Sequence, residues 1–100
     1  MSNKGGFVYI LTNNNNTTLY TGVTSDLQGR VWEHKNNFYP RSFSARYKLY
    51  KLIYYEAFGS IDYAIAREKE IKGKSRAYKE SLINEVNPSW RDLGPYIEDW

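Results

Sequence analysis

Two short runs rich in β-branched and aromatic residues, "FVYILT" (7–12) and "TLYTGVT" (18–24), are separated only by "NNNNT". Asparagine tolerates the left-handed backbone of turns, so this order predicts a β-hairpin with a loop of four or five residues. Directly afterwards, Ser25 or Asp26 is placed to cap a helix by accepting amide hydrogens of its first turn. On the wheel of that helix, Leu27, Val31 and His34 then fall on one stripe, with Arg30 at its edge. Gly29 falls on the opposite side, where it costs about 1 kcal/mol against alanine.

A basic, aromatic loop, "NNFYPRSFSARYKLY", leads to "KLIYYEAF" (51–58), the best strand in the chain. Gly59 and Ser60 end that strand and cap a second helix, "IDYAIAREKEIKGK", which Gly73 closes. Ser75 then caps a third, "RAYKESLINEV", with Lys79, Leu82, Ile83 and Val86 on one stripe and Asn87-Pro88 as the stop. The remainder, "SWRDLGPYIEDW", is an aromatic, acidic tail. An order of β-β-α-β-α-α predicts an α+β fold, a three-stranded antiparallel sheet flanked by helices. A chain of 100 residues suggests one domain, residues 1–100 with a core at about 7–93.

Cysteine is absent, which excludes disulfides, thiolate metal sites and cysteine nucleophiles. No apolar run approaches the ~20 residues of a membrane span, and the first residues, "MSNKGGFVYIL", have too short an apolar stretch for a secretory signal. We therefore expect a cytoplasmic protein with no membrane contact and no small-molecule cofactor. The net charge of +3 matters less than its distribution: Arg30 to Lys51 holds six Lys/Arg against Glu33 alone, and Arg67 to Lys79 holds six against two acids. Basic segments interleaved with aromatics suit a polyanion with stackable bases; a solvated basic surface is the competing explanation.

Four charged or titratable residues break the apolar pattern. On the second helix, Glu68 and Lys72 fall in line with Ile61 and Ile65, and Ala64 and Ile71 flank them. A carboxylate and an ammonium thus sit on a face expected to be buried, as Arg30 and His34 do on the first helix. Either Glu68 and Lys72 form an i,i+4 pair at the core's edge while Arg30 snorkels and His34 is a satisfied core histidine, or the two helices share a polar cleft. Tyr9 and Tyr20, each in mid-strand, lie beside such a cleft. A guanidinium, an imidazole, one carboxylate and phenols can together cut a phosphodiester. Arginine grips phosphate bidentately, one carboxylate anchors a Mg²⁺ ion, and a phenol acts as base if its neighbours favour phenolate. A Gly-rich phosphate loop, a histidine-rich zinc site and a serine nucleophile elbow are all missing from the sequence.

The segments Val8-Tyr9-Ile10 and Tyr20-Thr21-Gly22, followed in order by "RVWEH", "LIYYE", "AIAREKEIKGKSR" and "NPSWRDL", resemble the GIY-YIG nucleases, in particular small stand-alone bacterial members, from Phe7 to Leu93. The resemblance implies a compact nuclease core cutting DNA with one divalent metal, Mg²⁺ or Mn²⁺. It casts Tyr9 as the general base or nucleophile-activating group and Tyr20 as a group orienting water or phosphate. Arg30 would grip the scissile phosphate, His34 assist proton transfer and Glu68 hold the metal. Asn87 would be an asparagine behind the site, and Gly22 the residue that lets backbone or a helix come close. Gly22, Arg46 and Lys72 are expected against the nucleic acid.

The sequence thus predicts a metal-dependent DNA endonuclease, with branched, damaged or single-stranded DNA from repair or recombination as substrate. The alternatives are a nucleic-acid-binding module that keeps the fold without hydrolysis, and a domain whose basic face meets an acidic protein.

Overall fold

The structure is a computed structural model describing residues 5–100. Strands β1 (Gly6–Thr12), β2 (Leu19–Thr24) and β3 (Lys51–Phe58) form one antiparallel sheet, as the sequence predicts, and its strand order is β2-β1-β3. Helix α1 (Leu27–Lys35) follows β2, a short α2 (Phe43–Arg46) lies in the basic loop, and α3 (Ile61–Lys72) and α4 (Arg76–Val86) follow β3. A single turn, α5 (Gly94–Ile97), lies in the tail.

The hairpin loop runs from residue 13 to 18, longer than expected, because Asn13 organises a wider turn. Its Oδ1 accepts from the amides of Thr17 and Thr18 at 2.8 and 3.1 Å, and Asn16 takes a left-handed φ of 58°. Of the two candidate caps for α1, Asp26 is the one used, accepting from the Gly29 amide at 3.0 Å. That bond also explains Gly29, since a Cβ there would collide with the Asp26 carboxylate. Ser60 and Ser75 cap α3 and α4 as predicted.

Strand alternation sends the two faces of β1 to different helices. Tyr9 and Leu11 pack with Leu27, Val31, Leu49, Leu52 and Ile97, the α1 and α5 side. Val8 and Ile10 face the other way, Val8 against Ala64 and Ile71 of α3, and Ile10 against Ile83 of α4. On α3 the buried line is Ala64, Glu68 and Ile71, so the stripe is turned slightly from the predicted one. Lys72 falls at its margin with half of its side chain exposed, and Ile65 is half-buried. Val86, expected on the buried stripe of α4, is exposed on the last turn; the covered side there is Ile83 and Asn87, against β3.

The tail is part of the packing. Leu93 donates to the Leu52 carbonyl at 2.7 Å, and Asp92 Oδ1 accepts from the Leu52 amide at 3.1 Å, so residues 92–93 cover the outer edge of β3. Ile97 is fully buried, and Trp100 stacks on Phe7 with ring centroids 5.7 Å apart. The packed region therefore continues past the predicted limit near residue 93.

Candidate active site

Tyr9 sits at the centre of the middle strand and is fully buried. Its register partner on β2 is Gly22, and a Cβ at Gly22 would lie 2.5 Å from both Cζ and the hydroxyl of Tyr9. The glycine is thus the seat of the phenol. It is buried and turned inward, which corrects the expectation that it lies against nucleic acid.

From that seat the Tyr9 hydroxyl reaches His34 Nε2 at 3.3 Å, and His34 Nδ1 lies 2.7 Å from Ser44 Oγ. Ser44 is buried at the start of α2 and its hydroxyl is 3.1 Å from that of Ser42, the residue that caps α2 through the Ala45 amide. One proton arrangement satisfies this line from end to end. Tyr9 donates to Nε2, Nδ1–H donates to Ser44, and Ser44 donates to Ser42. Burial, reinforced by the Arg30 charge, lowers the His34 pKa to about 4, so the imidazole is neutral at pH 7. Burial first, then the neighbouring Tyr20, raises the Tyr9 pKa well above the ordinary phenol value; Arg30 works against that rise without cancelling it. The phenolate route to a general base is therefore closed in the resting protein, and Tyr9 is a neutral hydrogen-bond donor.

Arg30 stands beside this pair with its Nε 3.1 Å from Glu33 Oε1 and 41% of its side chain exposed. It snorkels, and its guanidinium is close enough to the Tyr9 hydroxyl to oppose the rise in that group's pKa.

Tyr20 lies next along the sheet, its ring 6.3 Å from that of Tyr9 and 6.2 Å from that of His34. On its other side, Lys72 Nζ is 6.0 Å from the Tyr20 ring centroid and 2.7 Å from Glu68 Oε2. The i,i+4 pair at the core's edge therefore exists, and it is also part of a shared cleft. The β2 edge brings α3 and the hairpin together through Tyr20. The bond to Glu68 raises the Lys72 pKa, so the ammonium stays charged.

Glu68 is buried, and among the described residues no three His, Cys, Asp or Glu gather as a metal cage. One carboxylate fits a hard divalent cation that takes its other ligands from water and phosphate oxygens, and it does not fit a structural zinc site. Lys72 already supplies the positive charge that such a carboxylate needs, from a side chain half exposed to solvent.

Asn87 is not brought to this group. Its amide donates to the carbonyls of Ile53 and Arg91 at 3.0 and 2.9 Å, and its Oδ1 accepts from the Arg91 amide at 3.2 Å. It pins the end of α4 to β3, at the sheet edge opposite β2. That corrects its expected place behind the site. Arg46 is exposed at the end of α2, just after Ser44 in the chain.

Ser44 and Phe43 are the site neighbours that sequence reading missed. The signal was the Ser42-x-x-Ala45 spacing of an N-cap inside a stretch that reads as loop. A concavity of about 420 Å³ lies elsewhere, between α1 and α5, beside Val31, Trp32 and Ile97.

The sheet thus carries two neighbouring tyrosines, with an arginine and a histidine on α1 and a lone buried carboxylate on α3. The family model described as the GIY-YIG catalytic domain matches residues 5–81, and the chain belongs to the GIY-YIG nuclease family. The chain is 37% identical over 82 residues to a UPF0213 protein of Syntrophus aciditrophicus, covering 82% of this chain and 92% of that one. To a UPF0213 protein of Natronomonas pharaonis it is 39% identical over 77 residues, 77% and 88% of the two chains. The solution NMR structure of a UPF0213 protein from Bacillus halodurans shares the fold, with a TM-score of 0.53, 30% identity and coverage of 95% and 93%. The designation UPF0213 says nothing of a substrate. Among the described residues, no helix is long and apolar enough to cross a membrane.

Proposed function

We propose that this protein is a cytoplasmic, metal-dependent endonuclease that hydrolyses DNA phosphodiester bonds at the β2 edge. The supporting observation is the unbroken line from a buried phenol through a neutral imidazole to a buried serine, joined through Tyr20 to a buried carboxylate. A protein that only bound nucleic acid would need none of that line.

In this reading Arg30 releases Glu33 and grips the scissile phosphate in two-pronged fashion. A water beside the phosphate gives a proton to the Tyr9 oxygen as the Tyr9 proton passes to His34 Nε2, while Nδ1–H stays on Ser44. The hydroxide formed attacks phosphorus, the bond to the leaving oxygen breaks, and that oxygen takes a proton from solvent. The phosphate's negative charge offsets that of Arg30, which makes His34 a better acceptor when substrate is bound than when it is absent. Glu68 would hold a Mg²⁺ or Mn²⁺ ion, which would supply charge stabilisation. Lys72, freed from Glu68, turns to the nucleic acid.

The test is cleavage of a panel of duplex, branched and single-stranded DNA with and without Mg²⁺ or Mn²⁺, run beside Glu68→Gln. We expect metal-dependent cutting by the wild type, none by Glu68→Gln, and melting temperatures within a few degrees of each other. Wild-type protein that leaves every DNA intact with both metals overturns the proposal.

A further inference from the structure

The aromatic row of the site does not stop at its wall. Beyond Tyr20 it continues to Phe43, with centroids 5.9 Å apart, and then to Tyr47 at 4.6 Å. The row passes from the fully buried Tyr9 to rings that are 48% and 46% exposed at Phe43 and Tyr47. An exposed pair of large aromatics on and just after a four-residue helix is poorly explained by packing, since it buries little and leaves apolar surface in water.

Its surroundings are cationic. Arg41, Arg46 and Lys48 flank the two rings in sequence, are exposed, and form no ion pair among the described residues. Phe43 also forms one wall of an open groove of about 370 Å³ over Tyr20 and Thr21, and Lys72 and Lys79 stand in the same groove. Flat apolar rings with cations on either side match a strand whose bases are unpaired. Bases stack on the rings while phosphates track the lysines and arginines. A duplex keeps its bases stacked on one another and has no face to offer Phe43 or Tyr47.

From this juxtaposition we propose that Phe43 and Tyr47 form a stacking ledge that selects nucleic acid with unpaired bases and delivers it along the groove to Tyr20. The proposal takes nucleic acid as the ligand from the proposed function but does not depend on cutting. The shared chemistry is an unpaired polynucleotide, deoxyribose or ribose. The ledge is tied to the site through Ser44, which sits between the two aromatic positions in the chain and bonds His34.

The experiment is fluorescence anisotropy in EDTA, where no metal-dependent cutting occurs, with labelled dT20, rU20 and a 20-base-pair DNA duplex. Wild-type protein is compared with Phe43→Ala, Tyr47→Ala and the double variant, each checked by circular dichroism. Single strands should bind more tightly than duplex. With stacking worth ~1–3 kcal/mol per base, the double variant should lose at least tenfold for the strands while duplex binding changes less than twofold. A preference for dT20 over rU20 would assign the ledge to DNA, and the reverse to RNA. Equal loss for strand and duplex, or no loss at all, overturns the ledge. So does a wild-type dimer in sedimentation that the double variant converts to monomer, because the rings would then be an interface between copies. Failure of the nuclease reading would show separately, as absent cleavage with strand-selective binding intact.

Discussion

The two sides of the β2 edge hold the candidate site in opposite ways. On the α1 side, Tyr9, His34 and Ser44 are neutral, locked by packing and joined donor to acceptor. On the α3 side, Glu68 and Lys72 are charged, and the lysine is half exposed. The neutral side fixes geometry, because moving any member breaks a partly buried hydrogen bond. The charged side holds an ion pair that an incoming cation and phosphate can exchange, because each partner finds an equivalent new one. The proposed hydrolysis would draw on both properties, and the fold assigns one to each face of the sheet.

The largest effect is expected from breaking the locked side at its seat. Gly22→Ala puts a methyl 2.5 Å from the Tyr9 ring, which is fully buried and cannot swing away. Overpacking of this kind costs about 1–3 kcal/mol, or ~4–8 °C of melting temperature per kcal/mol in a chain of this size. Cutting should fall with it, since the phenol is displaced from His34. An unchanged melting temperature would mean that the seat is looser than the structure describes.

The next measurement reads the locked side without disturbing it. His34 is the chain's one histidine, so a single imidazole signal follows it by NMR. Its midpoint should lie at about 4, and Arg30→Gln should raise it only part of the way to 6.5, because burial is the larger cause and Arg30 the smaller. Stability follows the same group. Its folded-state pKa lies below the unfolded value, so between about 6.5 and about 4 the unfolded chain binds the extra proton, and stability falls as pH is lowered through that window. Below about 4 the histidine's contribution levels off. Urea midpoints at pH 7, 5.5 and 4.5 should show this decline, and His34→Gln should flatten it. A His34 midpoint near 6.5 would mean that neither burial nor Arg30 perturbs the imidazole.

Much of the sheet and the long helices was legible because periodicity and capping act locally. Asp26, Ser60 and Ser75 announce helices that tertiary packing then accepts. Arg30, His34, Glu68 and Lys72 stand out for a related reason, since polar groups on core-facing stripes contradict their neighbours, whereas Tyr9 and Tyr20 gain their roles from the motifs that resemble the family. What stayed hidden was set by long-range contact. Asn87 looked like a site residue because "NP" marks a helix end in the right order, yet only the approach of β3 shows that its amide is held by Ile53 and Arg91. Gly22 carried no sign that a phenol rests on it until the register placed Tyr9 opposite. The aromatic, acidic tail reads as an appendage because it carries no helical or strand periodicity, and the burial of Ile97 depends on contacts with α1 and β3. A four-residue α2 is too short for any periodic signal, so Ser44 and Phe43 were concealed within it.

The smallest change tests the exchangeable side. Lys72→Met keeps most of the side chain's length and removes its charge. The lysine is half exposed but Glu68 is buried, so removing the ammonium leaves the carboxylate without its partner, and the melting temperature should fall by a few degrees. Metal affinity should respond more. In wild-type protein a cation must displace the ammonium bound 2.7 Å from Glu68 Oε2, whereas in the variant the carboxylate has no such partner. Mn²⁺ titrated without nucleic acid should therefore bind more tightly to Lys72→Met than to wild type, while binding to DNA weakens because one groove cation is gone. Opposite signs for metal and DNA are the signature of a residue that stands in for the metal and then leaves for phosphate. If Lys72→Met leaves Mn²⁺ affinity unchanged and destabilises the fold by several kcal/mol, the pair is a structural clamp and the contrast between the two sides of the β2 edge fails.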